Sequence, residues 1–284
     1  MLAPDIEFET APAEREWKAR LSLVFGIKNQ RTILKNREHF GPLVVQRPFY
    51  PEGPVCHVYL IHPPGGVVGG DKLSINVELQ PGSHTLITTP SAGKFYRSDD
   101  LKGSQTQQLK VAKDSLLEWF PQENIFFNAC KSEIKTEIKL ESNALFCGWE
   151  INCLGRPAAS EKFMQGSITQ KINIYRDDRP VFLERTELHG DSELLYSAAG
   201  LKSHVVLATF IATGIDKKTA DELQEKWHER TERDFSISLI NDVLVCRFLG
   251  DCAEFAKQGF TEIWTAVRMK QKKLNPCKPR IWST

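Results

Sequence analysis

Apolar and polar residues alternate in one short run after another through the first two thirds of this chain. Leu73-Ser-Ile-Asn-Val-Glu-Leu79 is the plainest case. Every second side chain is apolar, the sign of an extended backbone with one face buried. Val55–Ile61, His84–Thr89, Gln105–Val111, Ser115–Phe120, Glu133–Leu140, Ala144–Leu154, Ser167–Tyr175 and Val181–Leu188 read as further strands. Turn signals punctuate them at Pro81-Gly82, Lys102-Gly103, Asp177-Asp178-Arg179-Pro180 and Gly190-Asp191. Strands at such short intervals indicate a mainly β sandwich, barrel or solenoid. No internal repeat is visible, so the pattern alone does not select the solenoid.

Helices are few and late. Asp216–Arg233 is charged, with Ala220, Leu223 and Trp227 on one face. A second helix is expected after Asp251, read as an N-cap with Glu254 completing a capping box. Its stripe is Cys252, Ala256, Phe260, Ile263 and Val267. Phe235–Leu239 and Val243–Leu249 read as a hairpin across Asn241-Asp242. No low-complexity linker interrupts the chain. The simplest division is one domain over residues 1–284, β-rich over 1–213 and mixed with helix over 214–284.

Composition narrows the function classes. The formal charge of +1 gives no global pull toward nucleic acid or anionic membrane. No apolar run reaches the length of a membrane span, and the acidic start lacks a signal-peptide apolar region, so the expected compartment is cytoplasmic. Seven cysteines without a CxxC argue against a disulfide framework or a zinc knuckle, and most read as small buried hydrophobes.

One passage stands apart: His62-Pro-Pro-Gly-Gly-Val-Val-Gly-Gly-Asp71, between two strands. Gly65, Gly66, Gly69 and Gly70 suit positive φ or a close approach of another backbone. Asp71 reads either as an acceptor for local backbone N–H groups or as a functional carboxylate. Searches for known chemistry fail elsewhere. Gly93-Lys94 is followed by Phe95, which excludes a P-loop. No GxGxxG opening a helix, GxSxG or HExxH occurs. Scattered acids and imidazoles remain, among them His62, Asp71, Glu118, Glu123, Glu150, Glu184 and Glu187. Glu118 and Glu184 sit among bulky apolar neighbours, either facing out of a strand or buried with a basic partner.

The glycine passage, with Lys94-Phe-Tyr-Arg-Ser98 after it, resembles the signature of the urease accessory protein family UreD, also called UreH. Four further blocks follow in order: Leu117-Glu-Trp-Phe-Pro-Gln-Glu123 with Phe126, Leu154-Gly-Arg-Pro-Ala158, Phe182-Leu-Glu-Arg185 and Pro279-Arg-Ile-Trp-Ser-Thr284. The resemblance implies a non-enzymatic scaffold with a β-helix-like fold and a few helices. It implies binding to the helical accessory protein UreF, through it to the GTPase UreG, and to apo-urease, with nickel delivered to the urease centre. It also implies a water-filled passage as the nickel route and no tightly bound cofactor. A conduit holds its ion weakly at successive sites, and nickel accepts carboxylate and imidazole. On that reading Asp71 and Glu184 are the first candidates to line the route, followed by His62, Glu118 and Glu123. Gly93 stands where some relatives carry a hydroxyl residue, so no role is carried to that position. The C-terminal helix and Arg280, Ile281 and Trp282 are candidates for the UreF contact, with packing on the chain's own sheet as the other reading. Two competing functions remain: a carbohydrate-active enzyme using paired acids such as Glu118 and Glu123, and a binding module with no metal role.

Overall fold

In chain order the strands are β1 (Lys18–Lys28), β2 (Arg31–Phe40), β3 (Val44–Val45), β4 (Cys56–Ile61), β5 (Lys72–Leu79), β6 (His84–Thr88), β7 (Gly93–Phe95), β8 (Gly103–Val111) and β9 (Leu116–Phe120). They continue with β10 (Asn124–Phe126), β11 (Lys131–Leu140), β12 (Leu145–Leu154), β13 (Ser167–Arg176), β14 (Arg179–His189), β15 (Val206–Thr213), β16 (Phe235–Ile240) and β17 (Val243–Gly250). The described residues also form two α-helices, α1 (Lys217–His228) and α2 (Ala253–Lys272), and three short 3-10 turns. This computed structural model describes residues 16–228 and 235–283. The end of the expected first helix, residues 229–233, the chain start and Thr284 lie outside the described residues.

From β4 to β13 the chain alternates between two facing sheets. The first sheet has the order β14-β13-β11-β8-β5-β1-β2, and the second runs β16-β17-β15-β12-β9-β6-β4-β3, with β10 and β7 attached beside β12. Neighbours along β13-β11-β8-β5-β1 and along β12-β9-β6-β4 are parallel. Most connections therefore carry the chain across to the other sheet, and each later strand stacks on the preceding strand of its own sheet. This is a β-helix-like stack, capped by antiparallel strands at both ends of the first sheet.

The alternation seen in the sequence now has a physical meaning. In β5, Leu73, Ile75, Val77 and Leu79 point between the sheets, while Lys72, Ser74, Asn76 and Glu78 face outward. The middle strands of the second sheet are buried on both faces, which is why Leu116–Phe120 carries no polar face toward solvent. Its inner face meets the first sheet, and its outer face meets the helices. Ala256, Phe260, Ile263, Trp264 and Val267 of α2 join Leu86, Phe120, Trp149 and Phe210 in that second core.

One local expectation is corrected. Asp251 does not cap α2: the capping residue is Cys252, which is exposed and offers no side-chain hydrogen bond. The Asp251 carboxylate instead accepts from Val205 N at 3.2 Å, tying the helix start to the entry of β15. Among the described residues no helix is long and apolar enough to cross a membrane.

Candidate functional site

The space between the two sheets is apolar for most of its length and polar along one line. Pairing register sets the line. Across the first sheet, one inward row runs Leu21, Ile75, Gln107, Thr136, Ile172, Glu184. The next runs Ala19, Leu73, Gln105, Ile134, Gln170, Thr186. On the facing sheet an inward row runs Glu150, Thr209, Arg247. Beside it Trp119 is paired with Gly148, where a Cβ would lie 2.7 Å from the Trp119 carbonyl oxygen.

Glu150 sits at the middle of this line and is 5% exposed. Its carboxylate accepts from Thr136 Oγ1 at 2.8 Å and from Gln170 Nε2. Asn152 donates to Gln170 at 2.7 Å, and Asn124 donates to Asn152 at 3.2 Å. Burial pushes the Glu150 carboxyl up to about 7 against the pull of its two hydrogen bonds, and the charge of Glu184 adds to the rise. A cavity of about 110 Å3 reaches Glu150 from the loop end, passing His62, Gly66, Gln105, Gln107 and Trp119. A further space of about 10 Å3, lined by Trp119, Thr136, Glu150 and Thr209, continues beyond it. Gln107 Oε1 and Trp119 Nε1 are buried with no hydrogen-bond partner among the described residues, so the first cavity has both the room and the polar groups that hold water. At the far end Glu184 accepts from Thr209 Oγ1 at 3.4 Å and pairs with Arg247.

The structure brings two of the five predicted residues to this line. Glu184 ends it. His62 lines the entrance, and burial lowers its pKa against the charge of Asp71, which favours a neutral imidazole with a free lone pair. Asp71 does not line the cavity. Its Oδ2 accepts from Val68 N at 2.9 Å, which closes the glycine passage, and it borders an open surface basin with Arg97 and Asp99. Glu123 stands between Gln122 and Asn124, which both line the cavity while it does not. Glu118 is on the opposite face of the second sheet. There it accepts from Trp264 Nε1 at 2.5 Å and Arg268 Nη2 at 3.1 Å, with His84 Nε2 2.8 Å away. Arg268 also forks onto Glu52, two contacts of 2.7 Å, and both Arg268 and Glu118 are fully buried. Burial alone would raise the Glu52 carboxyl, but His57 and Arg268 hold it down at about 2. This group fastens α2 to the sheet.

The glycine pairs have a shared reason. Gly65 and Gly70 take positive φ, +77° and +94°. Gly66 and Gly69 lie where a Cβ would meet the Tyr96 ring at 2.2 Å and Ser98 Oγ at 2.0 Å. Val67 N donates to Lys94 O at 2.7 Å and Tyr96 N to Val67 O at 2.9 Å. The passage is thereby laid flat on Lys94–Ser98, and together they wall the entrance.

Trp282 packs on the chain's own second sheet. Its Nε1 donates to Thr88 Oγ1 at 2.9 Å, and its ring lies 5.1 Å from Trp149. Arg280 is exposed beside it. Glu150, Thr209, Gln107, Gln170 and Arg247 were not singled out for the line by sequence reasoning. A signal existed: Gly148, Glu150 and Asn152 share one phase of a strand whose neighbours are apolar.

The acids on this line are spaced singly, and among the described residues no three His, Cys, Asp or Glu gather as a metal-holding group. One carboxylate among amides and hydroxyls is a weak oxygen site for a divalent cation. The family model described as UreD urease accessory protein matches residues 18–283. Urease accessory protein UreD of Aliivibrio fischeri is 41% identical over 278 residues, covering 94% of this chain and 96% of that protein. The protein of the same name in Escherichia coli is 40% identical over 277 residues, covering 94% and 97%. That of Methylobacillus flagellatus is 37% identical over 283 residues, covering 99% of each.

Proposed function

The chain belongs to the UreD family of urease accessory proteins, and on that premise we propose that it is a non-catalytic maturation scaffold. It binds apo-urease and the UreF and UreG accessory proteins in the cytosol and passes nickel to the urease dinuclear centre through its own interior. The observation that carries the reading is the polar line His62–Gln107–Glu150–Thr209–Glu184 inside an otherwise apolar two-sheet core. Buried polar groups cost stability, so a core that keeps a carboxylate in mid-line has a use for it. An ion that must leave again needs weak successive ligands, which a lone carboxylate, amide oxygens and a neutral imidazole supply. Nickel is cargo here, not a resident cofactor.

The carbohydrate-active alternative needs two acids converging in an open groove. Glu118 is fully buried against Trp264 and Arg268 and reaches no polymer. The plain binding-module reading predicts that changing the interior acids leaves urease maturation intact.

The test is urease activation in cells carrying the structural and remaining accessory genes, with and without this chain, reading activity and bound nickel together. Active, nickel-loaded urease only with the chain supports the role. Equal activity and nickel without it, in a matched partner set, overturns it.

A further inference from the structure

Arg247 occupies an odd position on this line. It continues the inward row after Glu150 and Thr209, so its side chain starts on the same face as the path. Its guanidinium reaches from the second sheet to Glu184 on the first and binds one carboxylate oxygen, while Thr209 holds the other. Glu184 is 17% exposed and Arg247 47% exposed, so the pair stands where the interior meets solvent. Beyond Glu150 and Thr209 the next carboxylate is Glu184, and Arg247 already neutralises it.

We propose that Arg247 gates the far mouth, as a built-in counter-cation holding the place on Glu184 that a divalent ion takes on leaving the core. This rests on the passage reading above. The ion pair is the closed state. It is half hydrated, and a pair of that kind is cheap to break. The long side chain can turn out to solvent while its stem stays on β17. Once it does, Glu184 and Thr209 present free oxygens to the interior. Arg247 is thus a positioning residue acting through Glu184.

The test is Ni2+ titration of the full-length chain by equilibrium dialysis, comparing wild type, Arg247→Gln, Arg247→Lys and the double change Arg247→Gln with Glu184→Gln. Thermal melting of each variant confirms folding. Arg247→Gln binds Ni2+ about twofold to fivefold more tightly, the size expected for removing a partly exposed counter-charge. Arg247→Lys keeps the charge and binds like wild type, and the double change loses the gain. Unchanged binding in Arg247→Gln, or a gain that survives Glu184→Gln, overturns the gate. Glu150→Gln, which keeps Arg247, separates the two ideas in the urease activation assay. Normal nickel delivery with Glu150→Gln defeats the passage itself. Lost delivery there, with unchanged Ni2+ binding in Arg247→Gln, defeats only the gate.

Discussion

Glu150 shows how a single buried acid can be costly and kept. Its carboxyl is held at about 7, against an ordinary value of 4.5. A carboxyl raised on folding binds its proton more tightly in the folded chain. Its contribution is therefore fully present below about pH 4.5 and is lost as pH rises through 7. Glu150→Gln keeps the shape and removes the titration. We expect the stability of the variant relative to wild type to rise by about 3 kcal/mol between pH 4 and pH 8. Urea unfolding at the two pH values reads this, and a pH-independent difference would contradict it. The same variant is expected to deliver less nickel, so stability and function should move in opposite directions. Arg268 carries the reverse lesson. Its buried guanidinium links the half-buried Glu52 to the fully buried Glu118, and Arg268→Ala leaves both carboxylates without their shared cation. A loss of about 3–5 kcal/mol is expected, measured by the denaturant midpoint. A loss below about 1 kcal/mol would show that water reaches the site. The sequence carried both acids in view but not their surroundings. Glu118 and Glu150 each lie in an apolar strand, and only pairing register tells that one faces Trp264 and the other Gln170.

At the scale of elements, strands with one buried face were legible and strands without one were not. Leu73–Leu79 alternates because one face is wet. β2 is an edge strand exposed along most of its length, so Arg31–Phe40 has no apolar period to read. β7 and β10 have three residues each, too short for any period. β1 did carry the alternation, at Ala19, Leu21, Leu23 and Phe25, and was readable on the same terms as β5. The apolar stripe locates the second helix, but Asp251 does not cap it, because its carboxylate accepts from Val205 N instead. The glycine passage was recognised as a special backbone, but its partner was not. Gly66 and Gly69 are small because Tyr96 and Ser98 lie on top of them. Gly66→Ala forces the Tyr96 ring aside, and overpacking of that kind costs about 1–3 kcal/mol. We expect Tyr96→Ala to relieve much of that loss in the double variant, a coupling that a double-mutant cycle measures. Additive losses would mean that the close approach to Lys94 O at 3.0 Å, not the ring, sets the limit.

Taken whole, the molecule has two cores with different duties. One lies between the second sheet and the helices, built from Trp149, Phe210, Phe260 and Trp264. The other lies between the sheets and admits a polar line through its middle. Alternation along a strand predicts that each sheet has an inside, but it does not say which strands stack. That is why the sequence alone left sandwich, barrel and solenoid open, and the stacked form came from resemblance. Stacking is also what turns separate residues into a route: Gln107, Thr136 and Glu184 are far apart in the chain and lie in one row only because β8, β11, β13 and β14 are in register. Sites in a row act in series, so the slowest step limits delivery. If nickel passes Glu150 and then Glu184, blocking either one leaves little for the other to lose. Glu150→Gln and Glu184→Gln should each lower nickel incorporation into urease, and the double variant should be no worse than the more impaired single one. Two unrelated structural defects would instead multiply their losses, and two parallel routes would add theirs. Metal content of urease purified from cells carrying each variant distinguishes these outcomes, provided that the chain is recovered in equal amounts with its partners.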